Sequence, residues 1–242
     1  GGNGLIKRPS RFAEAGIKMG EYVPGAVFKV AYASNPRGYF DTDNLISNEK
    51  SYLQVIPELA RRGVSGGVYL GVGPDQNFSY IAHTRPSLAI IVDIRRQNML
   101  EHLWYKALFE LSASRADFLA TMLCRKTPDV PRTADLPTLL KAVRSSPVQA
   151  GLYEKNLAAV KRLLTTQHGL KLSSDDLSKI EYVYDTFRRE GLDLRFSTIG
   201  RVSGTRYPSY EELLMETDRN GRIQSYLATE DRWRTVRQLH RQ

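Results

Sequence analysis

One stretch, from Gly66 to Asn98 (GGVYLGVGPDQNFSYIAHTRPSLAIIVDIRRQN), restricts the fold more than any other. It holds two short β-prone apolar runs, Val68-Tyr69-Leu70 and Leu88-Ala89-Ile90-Ile91-Val92, each of buried-strand length. The first run ends in Gly71-Val72-Gly73-Pro74 and the second in Asp93. Between them, Gln76 to His83 reads as a short helix that Arg85-Pro86 closes before the second strand. Strand, glycine turn, helix, strand and acid make a βαβ unit. The fold class this predicts is α/β, a Rossmann-like sheet flanked by helices.

The spacing within the unit has a chemical meaning. The turn after the first strand brings bare backbone close to a ligand, and glycine serves where a Cβ would collide or φ must be positive. The helix N-terminus offers free N–H groups and a partial positive charge. An acid at the tip of the second strand reaches the hydroxyls of a ribose, and Asp93 follows Gly73 by 20 residues, about the separation for that role. A dinucleotide fingerprint, G-x-G-x-x-G, wants a third glycine where this chain has Gln76. Asp75 would also turn a carboxylate toward a pyrophosphate. A ligand carrying an amine or a sulfonium tolerates that carboxylate better than NAD does.

Leu70-Gly71-Val72-Gly73-Pro74-Asp75 resembles the first motif of class I S-adenosylmethionine (SAM)-dependent methyltransferases. Val92-Asp93-Ile94-Arg95 resembles their second, ribose-binding motif. The longer string is similar to an uncharacterised bacterial branch of methyltransferase-like proteins, through Asp43-Asn44-Leu45-Ile46-Ser47-Asn48-Glu49 and Tyr105-Lys106-Ala107-Leu108-Phe109-Glu110-Leu111-Ser112. The resemblance implies a SAM-binding protein that transfers a methyl group to an unidentified acceptor. It places Gly71, Gly73, Pro74 and Asp75 at the cofactor, Asp93 on the ribose, and Ile94 and Arg95 beside the adenine. Asn48 and Glu49 would contact the amino-acid moiety, although turn and capping chemistry accounts for the same cluster. No catalytic residue is implied; Asp75, Glu49 and His83 are candidate bases by position only.

Composition bears on the alternatives. A formal net charge of +9 favours nucleic acid or acidic partners through long-range attraction, yet the cations recur along the chain with acids between them. A non-catalytic Rossmann-like scaffold that binds nucleic acid or a protein through its basic surface is therefore the second reading. An NAD-dependent oxidoreductase is the third. A single cysteine, Cys124, excludes an internal disulfide. The four histidines, His83, His102, His168 and His240, show no metal-ligand spacing. No apolar run approaches the roughly 18 residues of a membrane span, and the start has no signal-peptide core, so a cytoplasmic location is expected.

Along the chain, residues 1–63 read as an arm with one helix near Phe12 to Met19, then a helix capped by Ser47 with Tyr52, Leu53, Ile56 and Leu59 on its apolar face. Residues 64–128 hold the cofactor-binding core, including a helix through Leu100, Trp104 and Leu108 that Asn98 is placed to cap. A proline-bearing linker leads into a helical insertion, 129–191, with helices over Thr138–Arg144, Gln149–Gln167 and Ser174 to Gly191. Residues 192–242 give a half-buried strand (Leu192–Ser197), a capping box at Ser209-x-x-Glu212 and a last helix capped by Thr229. So few strands suggest an incomplete sheet, as in a piece of a longer protein or a branch with a smaller sheet.

Overall fold

The computed structural model describes residues 17–19, 28–33, 45–93, 95–196 and 206–241. Its strands, in chain order, are β1 (Ile17–Met19), β2 (Phe28–Ala33), β3 (Val68–Val72) and β4 (Leu88–Val92). Both apolar runs of the central stretch are therefore strands. They lie side by side and parallel, from Val68 opposite Leu88 to Val72 opposite Val92. The sheet order is β1-β2-β4-β3, with β2 parallel to β4 and β1 antiparallel to β2. The first residues correct the expectation of an arm with a helix near Phe12 to Met19. Ile17–Met19 is a strand, and 12–16 lie outside the described residues. Phe28-Lys29-Val30-Ala31-Tyr32 alternates as strands do, and the long side of β4 gives it a ladder to join.

The helices are α1 (Ile56–Arg61), α2 (Gln76–Thr84), α3 (Arg96–Leu111), α4 (Arg115–Met122), α5 (Leu136–Ser145), α6 (Leu152–Arg162), α7 (Ser174–Glu190), α8 (Tyr210–Leu214) and α9 (Glu230–His240). The chain is thus mixed α/β and mostly helical. Side-chain caps set many of the starts. Ser114, Asp135 and Thr229 accept from the N–H groups of Asp117, Thr138 and Arg232. Ser173 with Asp176 and Ser209 with Glu212 form reciprocal capping boxes.

Several boundaries differ from the sequence expectation. The Ser47 Oγ accepts from the Glu49 N–H at 3.0 Å, but no helix starts there. A 3₁₀ turn at Tyr52–Val55 comes first, and α1 begins at Ile56 with Pro57 in its first turn, where a missing N–H costs nothing. Asn98 lies inside α3 rather than at its cap. The Gln149–Gln167 helix begins only at Leu152, after Gly151 at φ +73°, and its last turn widens into a π-turn at Leu163–Gln167. The strand expected over Leu192–Ser197 does not form in its described part, Leu192–Phe196. Gly191–Asp193 winds as a 3₁₀ turn, and Arg195 forms a single bridge to Ser209; Ser197 lies outside the described residues.

Helices cover the sheet face that carries Ala89 and Ile91, where Phe78 of α2 and Leu100 and Trp104 of α3 join the same fully buried core. That core continues through Phe118, Leu139, Val160, Phe187 and Trp233, so residues 129–191 pack into it without a separate core. Phe78 sits at a crossing point, edge-on to His102, Tyr105, Phe109 and Tyr226 at 5.2–5.6 Å. Such pairs add about 0.5–1.5 kcal/mol each beyond the area they bury. On the opposite face, Val68, Leu70 and Val72 remain 63%, 69% and 67% exposed. Among the described residues, helices thus flank one face of the sheet, not both.

Candidate functional site

The parallel register brings the carboxyl ends of β3 and β4 level, so the glycine turn and Asp93 leave the sheet side by side. Ligands of open parallel sheets bind outside such ends. The two glycines of the turn do different work. A Cβ on Gly71 would lie 2.1 Å from the Asn77 Oδ1 and 2.6 Å from the Tyr69 ring, so this glycine makes room for the chain's own side chains. Gly73 has φ +83°, and a Cβ there would meet nothing within 4 Å. Its bareness serves the backbone bend and leaves open space above it.

The turn is held from below. The Asn77 Nδ2 donates to the carbonyls of Val72, Gly73 and Pro74 at 3.0, 3.2 and 2.7 Å, while its Oδ1 accepts from the Tyr69 hydroxyl at 2.7 Å. From α3, the Asn98 Nδ2 and His102 Nε2 also donate to the Gly73 carbonyl, at 3.2 and 2.9 Å. These bonds draw the three carbonyls inward, and at the start of α2 the Asn77 and Phe78 N–H groups donate to the Pro74 and Asp75 carbonyls at 3.4 and 2.9 Å. Burial pushes the His102 imidazole down to about 4, so at neutral pH it is an uncharged donor.

Asp75 turns away from the outer surface. Its carboxylate is buried and accepts from the Tyr210 hydroxyl at 2.9 Å and, more weakly, from Tyr226 at 3.4 Å. Burial pushes it up to about 6, against the pull of the two hydroxyls. Glu101, also fully buried, has no hydrogen-bond partner for either oxygen among the described residues. Burial first, then the charge of Asp75, drive it well above the usual carboxylate range.

Asp93 is buried at the strand tip. Its Oδ1 accepts from the Arg95 backbone N–H at 2.7 Å, and the Arg95 guanidinium approaches both oxygens at 3.3 and 3.4 Å. Gly71, Gly73, Pro74, Asp93 and Arg95 therefore gather at one end of the sheet. Ile94 lies outside the described residues. Asn48 and Glu49 lie exposed in the segment before α1; Glu49 raises the proton affinity of the Tyr80 phenol, after burial. The His83 Nε2 bonds the Gln224 carbonyl at 3.0 Å from the far end of α2.

A family model for a domain of unknown function, DUF7790, matches residues 44–242. The chain belongs to the DUF7790 family. No curated protein matches it. The match takes in the glycine turn, Asp93 and the supporting helices, but not β1 and β2. Within it, among the described residues, no cluster of His, Cys, Asp and Glu could hold a metal ion. Among the same residues no helix is long and apolar enough to cross a membrane.

Sequence reasoning missed Asn77, Asn98, Glu101 and His102. A signal was present in α3. Asn98, Glu101, His102 and Tyr105 recur at three- and four-residue steps, on the helix side that also carries Leu108 and Phe109. Polar groups on a buried stripe must be partnered or must await a partner.

Proposed function

We propose that this chain binds SAM at the carboxyl ends of β3 and β4, in a Rossmann-like arrangement, and transfers its methyl group to an acceptor. One observation carries the reading. Gly73 bends at φ +83° beneath open space, and the strand register sets Asp93 beside it. A side chain there would fill the room an adenosyl ligand needs, which makes the turn a fitting cradle.

SAM, when bound, supplies an already activated methyl on a sulfonium, so the protein's part is to bind, align and exclude water. Asp93 is the group for the ribose hydroxyls. Its short bond to the Arg95 N–H holds one oxygen in place, while the two longer guanidinium contacts are the ones a hydroxyl replaces. Asn77, Asn98 and His102 act as positioning residues, fixing the Gly73 carbonyl inward. Asp75 supports the turn through Tyr210 and does not touch the ligand. The inward aim of Asp75 weakens the charge argument against a pyrophosphate, so the choice between SAM and NAD falls to a binding experiment.

Calorimetric and thermal-shift titrations of the chain with SAM, S-adenosylhomocysteine and NAD test the reading. The two adenosyl compounds should bind and NAD should not. At about a hundred times its Kd, a ligand stabilises the fold by about 2.7 kcal/mol, which a melting curve resolves. Binding of NAD alone would turn the reading toward hydride transfer. Binding of none would leave the glycine turn as architecture.

A further inference from the structure

Helix α9 carries Arg232, Arg234 and Arg237 and is followed at once by Arg241. Arg232 turns inward, its Nη1 donating to the Ile223 carbonyl at 3.1 Å. The other three stand three and four residues apart and so form one stripe. Arg132, from the segment before α5, joins it. The Arg132 Nη1 lies 3.5 Å and the Arg234 Nε 3.6 Å from the same oxygen of Glu230, and each of these arginine side chains is 55% exposed. The Arg115 Nε also faces Glu230, at 3.8 Å. One largely buried carboxylate is thus shared by three guanidiniums. Among the described residues, no carboxylate pairs with Arg237 or Arg241. The Arg237 guanidinium instead lies over the Trp233 ring and donates to the Phe109 carbonyl. The neighbouring acids are engaged elsewhere: Asp231 with Arg85, Asp117 with Thr127, and Asp135 at the cap of α5. Burial, and after it the positive field of Arg241 and Arg234, lower the proton affinity of Arg237.

The geometry points to a phosphodiester-binding surface made by Arg132, Arg234, Arg237 and Arg241, which holds the backbone of a nucleic-acid duplex without reading its sequence. The guanidinium fork suits phosphate oxygens. Seven residues of helix carry Arg234 about 10 Å from Arg241, which spans more than a single phosphate group. Trp233, Val236 and Leu239 face the core. The outer side of α9 therefore offers no apolar wedge for a bilayer and no aromatic platform for unpaired bases. This surface is independent of the glycine turn, and either can fail without the other.

The test is fluorescence anisotropy of the full chain with a labelled random-sequence DNA duplex, from 50 to 200 mM salt. Neutralising three or four phosphates should weaken binding about 40- to 150-fold over that range. Arg234→Gln/Arg241→Gln should flatten the log–log salt slope by about 1.8 and weaken binding at least about tenfold. Both side chains are exposed, and a melting curve checks the fold. A control, Lys155→Gln/Lys171→Gln, removes the same charge from exposed positions elsewhere and should change affinity less than about threefold. Absence of binding at 50 mM salt overturns the inference, and so does an equal loss in the control. Anionic phospholipid vesicles should not capture the chain through these arginines; if they do, the surface is a lipid one and the inference fails.

Discussion

The Nε2–H of His102 donates to the carbonyl oxygen of Gly73 at 2.9 Å, joining two residues 29 apart in the chain. A carbonyl only accepts, so the ring must carry its proton on Nε2. The folded imidazole takes a second proton only near pH 4, against 6.5 for an ordinary histidine. The unfolded chain therefore binds that proton first, and stability falls as pH drops from 6.5 toward 4, by about 3 kcal/mol from this group. His102→Leu should cost about 1–3 kcal/mol at pH 7 through the lost bond. It should also remove most of the acid-side loss. Urea unfolding at pH 7 and pH 4.5 checks both effects.

Asp75 works in the opposite sense. Its folded carboxyl titrates near 6 instead of 3.8, so the protonated form favours the fold. Its contribution is complete below 3.8 and is lost as pH rises through 6, again about 3 kcal/mol. Asp75→Asn keeps an acceptor for Tyr210 and cannot ionise. That variant should gain stability relative to the native chain as pH rises from 4 to 7.5. In the native chain the His102 and Asp75 slopes oppose each other between pH 4 and 6. Each substitution should tilt the native profile there in its own direction, His102→Leu by removing a rise with pH and Asp75→Asn by removing a fall.

The two turn glycines should separate in the same way. Gly71→Ala drives a Cβ onto Asn77 and Tyr69, at 2.1 and 2.6 Å, and dislodges the amide that holds three carbonyls. A loss of about 2–4 kcal/mol in stability is expected, in the range for overpacking combined with a broken hydrogen-bond network. Gly73→Ala has open space but a strained φ, and should cost only about 1–2 kcal/mol. SAM affinity should fall more in Gly73→Ala than its stability does, since the new methyl enters the ligand's room. Denaturation curves and calorimetry on the two variants compare these outcomes.

How much of this was written in the sequence depends on how local each feature is. The βαβ unit was legible because Val68–Leu70, the glycine turn and Leu88–Val92 each announce themselves within a few residues. The caps at Ser209 and Thr229 were legible for the same reason. The strand at Phe28–Ala33 carried only a short alternation, and the ladder that makes it a strand is with β4, distant in sequence. The inward aim of Asp75 was equally hidden. It depends on Tyr210 and Tyr226, which are brought under the turn only when the chain's last third packs against α2 and α3. Leu192–Ser197 shows the converse error. Its alternation is real, but without a neighbouring strand it forms one bridge and no ladder.

Arg96 and Asp176 tie α3, the helix whose Asn98 and His102 hold the Gly73 carbonyl, to α7. The guanidinium donates in a fork, at 2.6 and 2.7 Å, to a carboxylate that also accepts from the Ser173 N–H at 3.1 Å. These bonds hold the Asp176 carboxyl down at about 2, with Arg96 the larger cause. Asp176→Ala removes both the pair and the capping box, with an expected cost of about 2–4 kcal/mol at pH 7. Because the folded value lies below 3.8, this stabilisation is complete above that pH and fades as pH falls toward 2. The difference in unfolding free energy between native chain and variant should therefore shrink between pH 5 and pH 2.5.

Asp93 decides whether the strand tip is a ribose site. Two charge-assisted bonds to ribose hydroxyls are each worth about 1.5–3 kcal/mol, less some loss to non-additivity. Asp93→Ala should therefore cost about 2–4 kcal/mol of SAM binding, roughly 30-fold to several-hundred-fold in Kd. The same change frees the Arg95 N–H, so its effect on folding must be read separately by melting. Arg95→Ala supplies the contrast. It removes the guanidinium that covers both Asp93 oxygens but keeps the backbone bond. If the hydroxyls take the guanidinium's place, Arg95→Ala should bind SAM at least as tightly as the native chain. A folded Asp93→Ala with native affinity would take Asp93 out of the site, and with it the strand-tip reading of the ligand.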